Sequence, residues 1–274
     1  MDAAACADFL AWALPKLGLT PKGFRRVRGQ VCKRLGRRVA ALGLPTFDAY
    51  RDHLATHPDE WRQIDECCRI TISRFYRDRD VFDALARSIM PALAAAGIAA
   101  GRPSLRAWSA GCASGEEPYS LAIVWQVAVA PRFPRLDLEI IATDSDRLLL
   151  ERAECATYGA GSLRDLPEAW KSLAFEASGS LQALRPAFRR GVRFLRQDVR
   201  KEAPEGPFDL VLCRNLAFTY FDRAGQQDTL RRLLAALSPG GALTIGRRER
   251  LPDDGWPLAP WLSELGIFQR LPAS

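Results

Sequence analysis

The residues best suited to chemistry in this 274-residue sequence follow a stretch of small residues, Gly-Cys-Ala-Ser-Gly at 111–115. An apolar run precedes this stretch, and a helical pattern with Pro118 near its start follows it. That order predicts a strand, a tight loop and a helix N terminus. Gly111 and Gly115 allow a sharp turn and the close approach of a ligand. The stretch is therefore typical of a unit that cradles a nucleotide.

Two carboxylates directly after the loop, Glu116 and Glu117, decide between classes of ligand. A phosphate at a helix N terminus favours a positive potential, whereas two carboxylates repel it and suit hydroxyl groups, amines and a sulfonium cation. The glycines are spaced G-x-x-x-G, so the dinucleotide fingerprint G-x-G-x-x-G is absent. We interpret the loop as a binding loop for S-adenosylmethionine (SAM). The alternative is an ordinary helix start with a capping carboxylate.

Further polar residues follow three other predicted strands, each at its C-terminal end. Asp144 ends the second strand, where an acid suits the two hydroxyl donors of a ribose. Its separation from Gly115 exceeds the ~20 residues that a nicotinamide-binding fingerprint has between its glycines and its acid, which argues against NAD. Asp198 follows the third strand and is a candidate acceptor for an adenine amino group. Arg214 and Asn215 follow the fourth and are candidates for the methionine end of SAM or the substrate.

The histidines constrain the reaction. Only His53 and His57 occur, and both fall in the N-terminal helical part. Proton abstraction near pH 7 usually recruits histidine. Methyl transfer to a carboxylate needs no base, because a glutamate with a pKa of about 4.3 is already ionised. The lack of histidine in the sheet part therefore favours O-methylation of a carboxylate. With another acceptor, Tyr220 or an aspartate could serve as the base.

The elements that must position these residues alternate between strand and helix after about residue 80. Strands are predicted from Leu105 and over 138–144, 192–195, 208–213 and 242–246, with helices over 81–96, 145–156 and 226–237. This alternation predicts an α/β fold with a doubly wound, mostly parallel sheet. Helical patterns over 1–18, 24–42, 46–54 and from Pro58 predict a small all-α domain before it. We expect domains at 1–78 and 79–274, with an insert at about 160–191.

Composition and cysteine usage indicate a cytoplasmic protein. Hydrophobic residues make up 48% and charged residues 26% of the chain, and we expect no signal sequence and no apolar run of membrane-spanning length. The seven cysteines include no C-x-x-C pair, so neither a metal site nor a disulfide scaffold is expected. Several cysteines, such as Cys112 and Cys213, are expected in the core as small apolar residues.

Positive charge is concentrated in one segment. Eight of the cations that give the net charge of +7 lie between Lys22 and Arg38, without one acidic residue. Such a stripe steers an acidic protein partner, which is our first interpretation. A solvated face is the second. Nucleic acid is the least favoured, because Phe24 is the segment's only aromatic residue and no base-reading motif is present.

Taken together, the motifs resemble the CheR-type chemotaxis receptor methyltransferases, which transfer a methyl group from SAM to receptor glutamates. The resemblance covers nearly the whole chain. It rests on the loop sequence at 108–120, on Ala-Thr-Asp-Ser-Asp at 142–146, on Phe-Asp-Leu-Val-Leu-Cys-Arg-Asn at 208–215 with Tyr-Phe-Asp at 220–222, and on Thr-Ile-Ser-Arg-Phe-Tyr-Arg-Asp at 71–78.

The resemblance implies a class I, Rossmann-like methyltransferase domain after a helical domain, and roles for individual residues. Arg77 and Tyr220 would act on the methyl group and the acceptor carboxylate. The implied SAM contacts are Thr71, Ser73, Arg77, Ala110, Glu116, Asp144, Asp198, Val199, Arg214 and Asn215. An acidic receptor helix would meet the basic helix through Arg25, Arg28, Lys33 and Arg37. The product would be S-adenosylhomocysteine, and no metal, nucleic acid or membrane insertion is expected.

The sequence also departs from the family. Thr71 stands where an asparagine is usual, Asp198 where one is frequent, and Gly-Arg-Arg-Glu at 246–249 replaces Gly-His-Ser-Glu. One extra residue lies between Asn215 and Tyr220, and the insert has only scattered glycines such as Gly179. Two alternatives therefore stay open. One is a small-molecule methyltransferase on the same scaffold, and the other is a SAM-binding adaptor without turnover.

Overall fold

The computed structural model of the chain describes residues 2–253 and 255–272. It divides into two units. The first ends at Thr71 and also includes Thr219–Gln226, and the second contains Ile72–Phe218 and the chain from Gln227 onward.

Four helices form most of the first unit. They are α1 (Ala3–Lys16), α2 (Arg28–Ala41), α3 (Phe47–Thr56) and α4 (Glu60–Cys68). The predicted apolar stripe of α2 is buried, since Val31, Leu35 and Val39 are fully inaccessible to solvent. The predicted cap of α3 is present, because the Thr46 hydroxyl accepts a hydrogen bond from the Ala49 N–H at 3.1 Å.

The helix α2 begins later than the sequence pattern predicts. Residues 21–27 form consecutive turns, in which Gly23 N–H donates to the Thr20 carbonyl and Val27 N–H to the Phe24 carbonyl. A Cβ at Gly23 would lie 2.1 Å from the Thr219 carbonyl oxygen, so the backbones approach too closely there for any side chain. Apolar spacing predicts the buried face of this segment but not the turns that precede the helix.

The sequence analysis expects no disulfide scaffold, and the structure contains one disulfide bond among the seven cysteines. Cys6 of α1 and Cys32 of α2 are disulfide-bonded, with their Cα atoms 5.9 Å apart. The other five cysteines are free. The pair is 26 residues apart in sequence and meets only because α1 packs against α2, so local spacing does not reveal it.

The second unit is built on a seven-stranded sheet. Its strands are β1 (Ser104–Ala110), β2 (Asp137–Asp144), β6 (Val192–Arg196), β7 (Phe208–Cys213), β8 (Leu237–Ile245), β9 (Leu258–Leu262) and β10 (Ile267–Arg270), in the order β6-β2-β1-β7-β8-β10-β9. The first five in this order pair in parallel, and β10 is antiparallel to both of its neighbours. The predicted mostly parallel, doubly wound α/β fold is confirmed. The sequence analysis missed the antiparallel pair β9 and β10.

Helices connect these strands and cover the sheet. They are α5 (Arg79–Ala84), α6 (Met90–Ala99), α7 (Glu116–Val124), α8 (Arg147–Cys155), α9 (Glu168–Ala174), α10 (Pro186–Arg189), α11 (Ala217–Tyr220) and α12 (Arg223–Ala236). The last two contain residues of both units. A second, antiparallel sheet consists of β3 (Thr157–Tyr158), β5 (Leu181–Leu184) and β4 (Phe175–Ser178).

One helical stretch is longer than the sequence analysis expects. A π-helical turn, Leu85–Ile89, joins α5 and α6 into a continuous helix over Arg79–Ala99. By length and composition alone it is apolar enough to cross a membrane, so the expectation that no apolar run reaches that length is wrong. Within the fold, 56% of its apolar window is buried, and Phe82, Leu85 and Ile89 belong to the core of the second unit.

Candidate functional site

The loop after β1 has a backbone that small residues make possible. Gly111, Ala113 and Gly115 all adopt positive φ angles, of 78°, 49° and 89°. A Cβ at Gly115 would lie 2.9 Å from the Cβ of Ala153, so this glycine is required by both conformation and space. The loop is fixed to β2, because the Gly111 N–H donates to the Thr143 carbonyl at 2.8 Å.

Asp144, the last residue of β2, holds the same loop through its side chain. One carboxylate oxygen accepts from the Ala113 N–H and the other from the Asp146 N–H, both at 2.9 Å. A carboxylate has about four acceptor positions, and these two bonds occupy two of them. Asp144 is thus oriented by the backbone on the edge where β1 and β2 end.

Glu116 is a buried carboxylate in the first turn of α7. Its side chain accepts hydrogen bonds from the Ser114 hydroxyl at 2.9 and 3.0 Å and from Ser73. Burial raises the pKa of the Glu116 carboxyl, while these bonds and the charge of Arg152 act in the opposite direction. Among the described residues no cation lies within ion-pair distance of it. The site therefore suits a ligand with hydroxyl or amine donors.

Arg77 lies in a turn whose backbone is held on both sides. The residues before and after it, Tyr76 and Asp78, have φ angles of 58° and 59°. The Tyr76 N–H donates to the Ser120 hydroxyl at 2.8 Å, and that hydroxyl donates to the Glu116 carbonyl at 2.6 Å. The Arg77 guanidinium donates to the Ile72 carbonyl at 2.9 Å. This bond links the turn to the start of the segment that precedes it.

Arg214, the residue after β7, has a side chain that is only 2% exposed. Its guanidinium donates to the Arg77 carbonyl at 2.9 Å, to Asp78 at 2.8 Å and to Glu117 at 3.2 Å. It also lies 5.2 Å from the centre of the Phe82 ring. The sequence analysis expects contact with the ligand here, and the structure gives this side chain protein partners.

Asn215 is fixed by a residue to which the sequence analysis gave no role. It has a φ of 56°, and its N–H donates to a carboxylate oxygen of Glu249 at 2.8 Å. The Gly246 N–H donates to the same oxygen at 2.6 Å, and Glu249 is only 6% exposed. The signal was present, because Glu249 matches the glutamate of the family's Gly-His-Ser-Glu sequence.

The remaining SAM-contact candidates of the second unit lie at other strand ends. The Asp198 carboxylate binds the guanidinium of Arg200, at 3.0 Å from Nε and 2.8 Å from Nη2. Val199 is buried, and its carbonyl accepts from Arg232 at 2.8 Å. Ala110 is the buried last residue of β1. Thus Ser73, Arg77, Glu116 and Arg214 share one bonded network, and Asp198 forms an ion pair with Arg200.

Thr71, Tyr220 and the basic segment belong to the first unit. The Tyr220 ring lies 5.0 Å from the Phe24 ring, and its carbonyl accepts from the Thr20 N–H at 2.8 Å. The four predicted substrate-binding cations are all exposed; they are Arg25, Arg28, Lys33 and Arg37. Within residues 2–253 and 255–272, no group of three or more His, Cys, Asp or Glu side chains is placed to hold a metal ion.

Comparison with known proteins gives a consistent result. The model for the CheR methyltransferase SAM-binding domain matches residues 71–258, and that for the CheR methyltransferase all-alpha domain matches residues 27–64. The chain is 33% identical to a chemotaxis protein methyltransferase of Listeria monocytogenes over 206 residues, 75% of each chain. It is 31% identical to those of Salmonella typhimurium, over 82% of this chain and 77% of that one, and of Escherichia coli, over 81% and 76%.

These matches cover both the helical segment and the strand-end residues described above. The family model that spans the sheet is named for SAM binding, and its range includes the loop, Asp144 and the Arg77 turn. SAM is therefore the cofactor, as predicted from the loop. The chain belongs to the CheR methyltransferase family and is a SAM-dependent methyltransferase.

Proposed function

We propose that this enzyme transfers the methyl group of SAM to a glutamate side chain on an acidic helix of a protein. The observation that carries the proposal is the exposed basic face of the first unit. Of the eight cations between Lys22 and Arg38, six are exposed, and none of the six forms an ion pair with a described residue; they are Lys22, Arg25, Arg26, Arg28, Lys33 and Arg37. An unneutralised stripe of this kind attracts an acidic partner.

The other two cations of the segment have structural partners. Arg38 binds Glu60, and Arg34 donates to the carbonyls of Cys67 and Arg69. The exposed cations are therefore not needed to hold the helices together. A face that is solvated for solubility alone would not need such a concentration of one sign.

A groove beside three of the exposed cations adds an apolar component to this surface. It has a volume of about 180 Å³, and its floor contains Leu10, Leu14 and Phe24. Lys22, Arg25 and Arg28 line it as well. This composition fits an amphipathic acidic helix, because an apolar side chain could occupy the groove while neighbouring glutamates meet the cations.

Within the second unit, we assign Asp144 to the ribose hydroxyls and Glu116 to the amine or hydroxyl donors of the cofactor. Both carboxylates are oriented by hydrogen bonds on the strand-end edge. The small-residue loop supports this fit, since it carries no phosphate-binding cation. The proposed contacts of Thr71, Ser73, Ala110, Asp198, Val199 and Asn215 rest on the family resemblance. The resemblance implies a contact of Arg214 as well, but its guanidinium is bonded to protein atoms.

Bound SAM supplies an electrophilic methyl group on a sulfonium. The enzyme's own residues then have to orient and desolvate the acceptor carboxylate, which is already ionised at neutral pH. Arg77 can orient both acceptor oxygens through its planar fork. The resemblance assigns Tyr220 a second role at the acceptor. No base is required, in keeping with a second unit that contains no histidine.

The proposed compartment is the cytoplasm, where SAM is available. The five free cysteines support it, and the Cys6–Cys32 bond counts against it. Fractionation of the producing cells tests it: methyltransferase activity in the soluble cytoplasmic fraction supports the proposal, and activity only outside the cytoplasm contradicts it.

The test of the function uses SAM labelled with tritium on its methyl group and an extract of the cells that produce the protein. Glutamate methyl esters release volatile methanol in alkali, whereas N-methyl groups do not. We expect alkali-labile label in protein, and a loss of about 100-fold or more in Arg77→Ala. Alkali-stable label contradicts carboxylate transfer, label in small molecules supports the small-molecule alternative, and SAM binding without any label supports the adaptor alternative.

Charge reversal tests the acceptor surface in the same assay. The double variant Arg25→Glu/Arg28→Glu should raise KM about tenfold at unchanged kcat, because it removes attraction and not chemistry. Lys33→Glu/Arg37→Glu should act in the same way. The matched control is Arg190→Glu/Arg193→Glu, two exposed arginines of the second unit, which should leave KM unchanged. Equal effects of all three pairs would argue for nonspecific charge attraction only.

A further inference from the structure

The side chain of Arg214 is buried, and its guanidinium is bonded to protein atoms. We infer that Arg214 is a positioning residue, which fixes the turn carrying Arg77 against the start of α7 and does not contact the cofactor through its guanidinium. The inference rests on the proposed function, because it assumes that the placement of Arg77 matters for methyl transfer.

The turn itself requires external support. Tyr76 and Asp78 both adopt left-handed backbone conformations, which non-glycine residues keep only when their surroundings hold them. Arg77 lies between them, so its direction is set by how firmly both neighbours are held. A shift of this backbone by a fraction of an ångström would move the guanidinium of Arg77 away from its target.

Arg214 holds the C-terminal side of the turn. One of its terminal nitrogens donates both to the Arg77 carbonyl at 2.9 Å and to the Asp78 carboxylate at 2.8 Å. The other donates to Glu117 at 3.2 Å. One cation thus links two carboxylates and a main-chain oxygen, an arrangement that the planar fork of arginine can satisfy and the single ammonium of lysine cannot.

The N-terminal side of the turn is fixed to the same helix. The Tyr76 N–H binds Ser120 in α7, and the Ser109 hydroxyl at the end of β1 binds Glu117 at 2.8 Å. The turn, α7 and β1 therefore form one bonded assembly around Glu117. Since Glu116 is the neighbouring residue, the assembly keeps the proposed acceptor-binding arginine and the proposed cofactor-binding carboxylate in a fixed relation.

The geometry leaves the Arg214 side chain little access to a ligand. It is 2% exposed, and three of its N–H groups are bonded to protein atoms. Its Nε is buried and has no hydrogen-bond partner among the described residues. The face of its guanidinium lies over Phe82, which excludes solvent from that side.

Two measurements on the full chain separate positioning from direct binding. In Arg214→Lys, we expect hydrogen exchange of the amides of residues 76–78 to become about tenfold faster or more, since the fork that holds the turn is lost. Affinity for S-adenosylhomocysteine, measured by calorimetry, should change less than about threefold. Unchanged amide exchange together with about tenfold weaker binding would show that Arg214 is a direct cofactor ligand, and would overturn the inference. A variant in which neither the exchange nor the affinity changes would also overturn it.

A second variant, Asp78→Asn, leaves Arg214 unmutated and weakens only its bond to the turn. It controls for a general loss of structure in Arg214→Lys. Because Asp78 is 31% exposed, this variant should fold, and the amides of residues 76–78 should again exchange faster. The control is Arg106→Lys at another place in the sheet. Arg106 also donates to main-chain oxygens, those of Glu205 and Pro207, so this variant removes a similar arginine far from the turn in sequence. It should leave exchange at residues 76–78 unchanged. Unchanged exchange in Asp78→Asn, or equal acceleration in Arg106→Lys, overturns the inference.

A double-mutant cycle on methyl transfer tests whether Arg214 acts through Arg77. With labelled SAM and cell extract, Arg77→Ala/Arg214→Lys should be no slower than Arg77→Ala alone. Additive losses would show an independent role for Arg214 and contradict the inference. If Arg77→Ala keeps the full rate, the proposed role of Arg77 fails, and the exchange measurement still decides whether Arg214 holds the turn.

Discussion

The guanidinium of Arg38 donates two hydrogen bonds to the carboxylate of Glu60, at 2.8 and 2.6 Å, and so joins α2 to α4. The Tyr50 hydroxyl donates to the same carboxylate at 2.7 Å. This network separates the roles of neighbouring cations in the basic segment. Arg38 stabilises the first unit, whereas Arg37, one residue earlier, is exposed and can meet a partner.

The network predicts a pH dependence of stability. The bond with Arg38 holds the pKa of Glu60 below its ordinary value of 4.5. A carboxyl group whose pKa is lower in the folded state stabilises the fold fully above its unfolded pKa, and that contribution is lost as the pH falls through the folded pKa. Glu60→Gln should therefore lower the free energy of unfolding at pH 7, because it removes the charge that pairs with Arg38. The loss should be only about 1–3 kcal/mol, since solvent reaches the partly exposed Arg38 and weakens the pair.

Urea denaturation at pH 7 and at successively lower pH measures this difference. It should shrink once the pH falls below 4.5. The control is Asp48→Asn, which removes an 87% exposed partner of Arg51 and should cost less than about 0.5 kcal/mol. A difference that stays constant down to acid unfolding would show that the ion pair does not carry the effect.

Asp144 should determine cofactor affinity. Asp144→Ala removes the proposed acceptor for the ribose hydroxyls and also releases the Ala113 N–H of the loop. If the wild type binds S-adenosylhomocysteine with a micromolar Kd, about −8 kcal/mol, we expect binding at least about tenfold weaker in calorimetry. Asp137→Ala, at the exposed opposite end of the same strand, is the control and should bind normally. Normal binding by Asp144→Ala would remove Asp144 from the site.

Gly115 should be more sensitive to substitution than Gly179, a glycine that also has a positive φ but lies in open space. Gly115→Ala combines an unfavourable φ with a contact of 2.9 Å to Ala153, and should cost about 2–4 kcal/mol of unfolding free energy. Gly179→Ala has a similar positive φ but nothing within 4 Å, and should cost only about 1 kcal/mol. Thermal unfolding of both variants gives the comparison. Equal costs would mean that the loop yields to the added methyl group.

Glu249 should act as a structural anchor for the residues after β7 and β8. Glu249→Ala leaves the N–H groups of Asn215 and Gly246 without their carboxylate acceptor, at a cost of about 2–4 kcal/mol. Glu249→Gln keeps one oxygen acceptor and should lose less than half of that. Chemical denaturation of the two variants measures the difference. Equal loss in both would show that the negative charge, and not the acceptor, is what the site requires.

The central strands and the cofactor were predictable because their signals are local. Buried runs such as 208–213 and the small-residue loop depend on neighbouring residues, and the sheet they predict is confirmed. The strands β9 and β10 were missed because no alternating pattern marks them. The Cys6–Cys32 pair and the late start of α2 depend on contacts between distant segments, which sequence spacing does not encode.

The positions of the candidate residues at the strand ends were predictable, and the partners of their side chains were less so. The strand-end rule predicted that Asp144 ends β2 and that Arg214 follows β7, as in the structure. It could not show that Arg214 turns into the protein toward Asp78 and Glu117, or that Asp198 pairs with Arg200. These outcomes depend on side chains that neighbour one another only in the folded chain, as does the bond between Glu249 and Asn215.

The central claim is that a glutamate of a protein receives the methyl group, and mapping the modified residue tests it most directly. Cell extract is incubated with SAM and either the wild-type enzyme or Arg77→Ala, and the proteins are digested at mildly acidic pH, which preserves esters. Peptide mass spectrometry should find methyl esters on glutamates within acidic helical segments, present with the wild type and absent with the variant. Methylation confined to nitrogen atoms or to small molecules, or found equally with Arg77→Ala, would contradict the account.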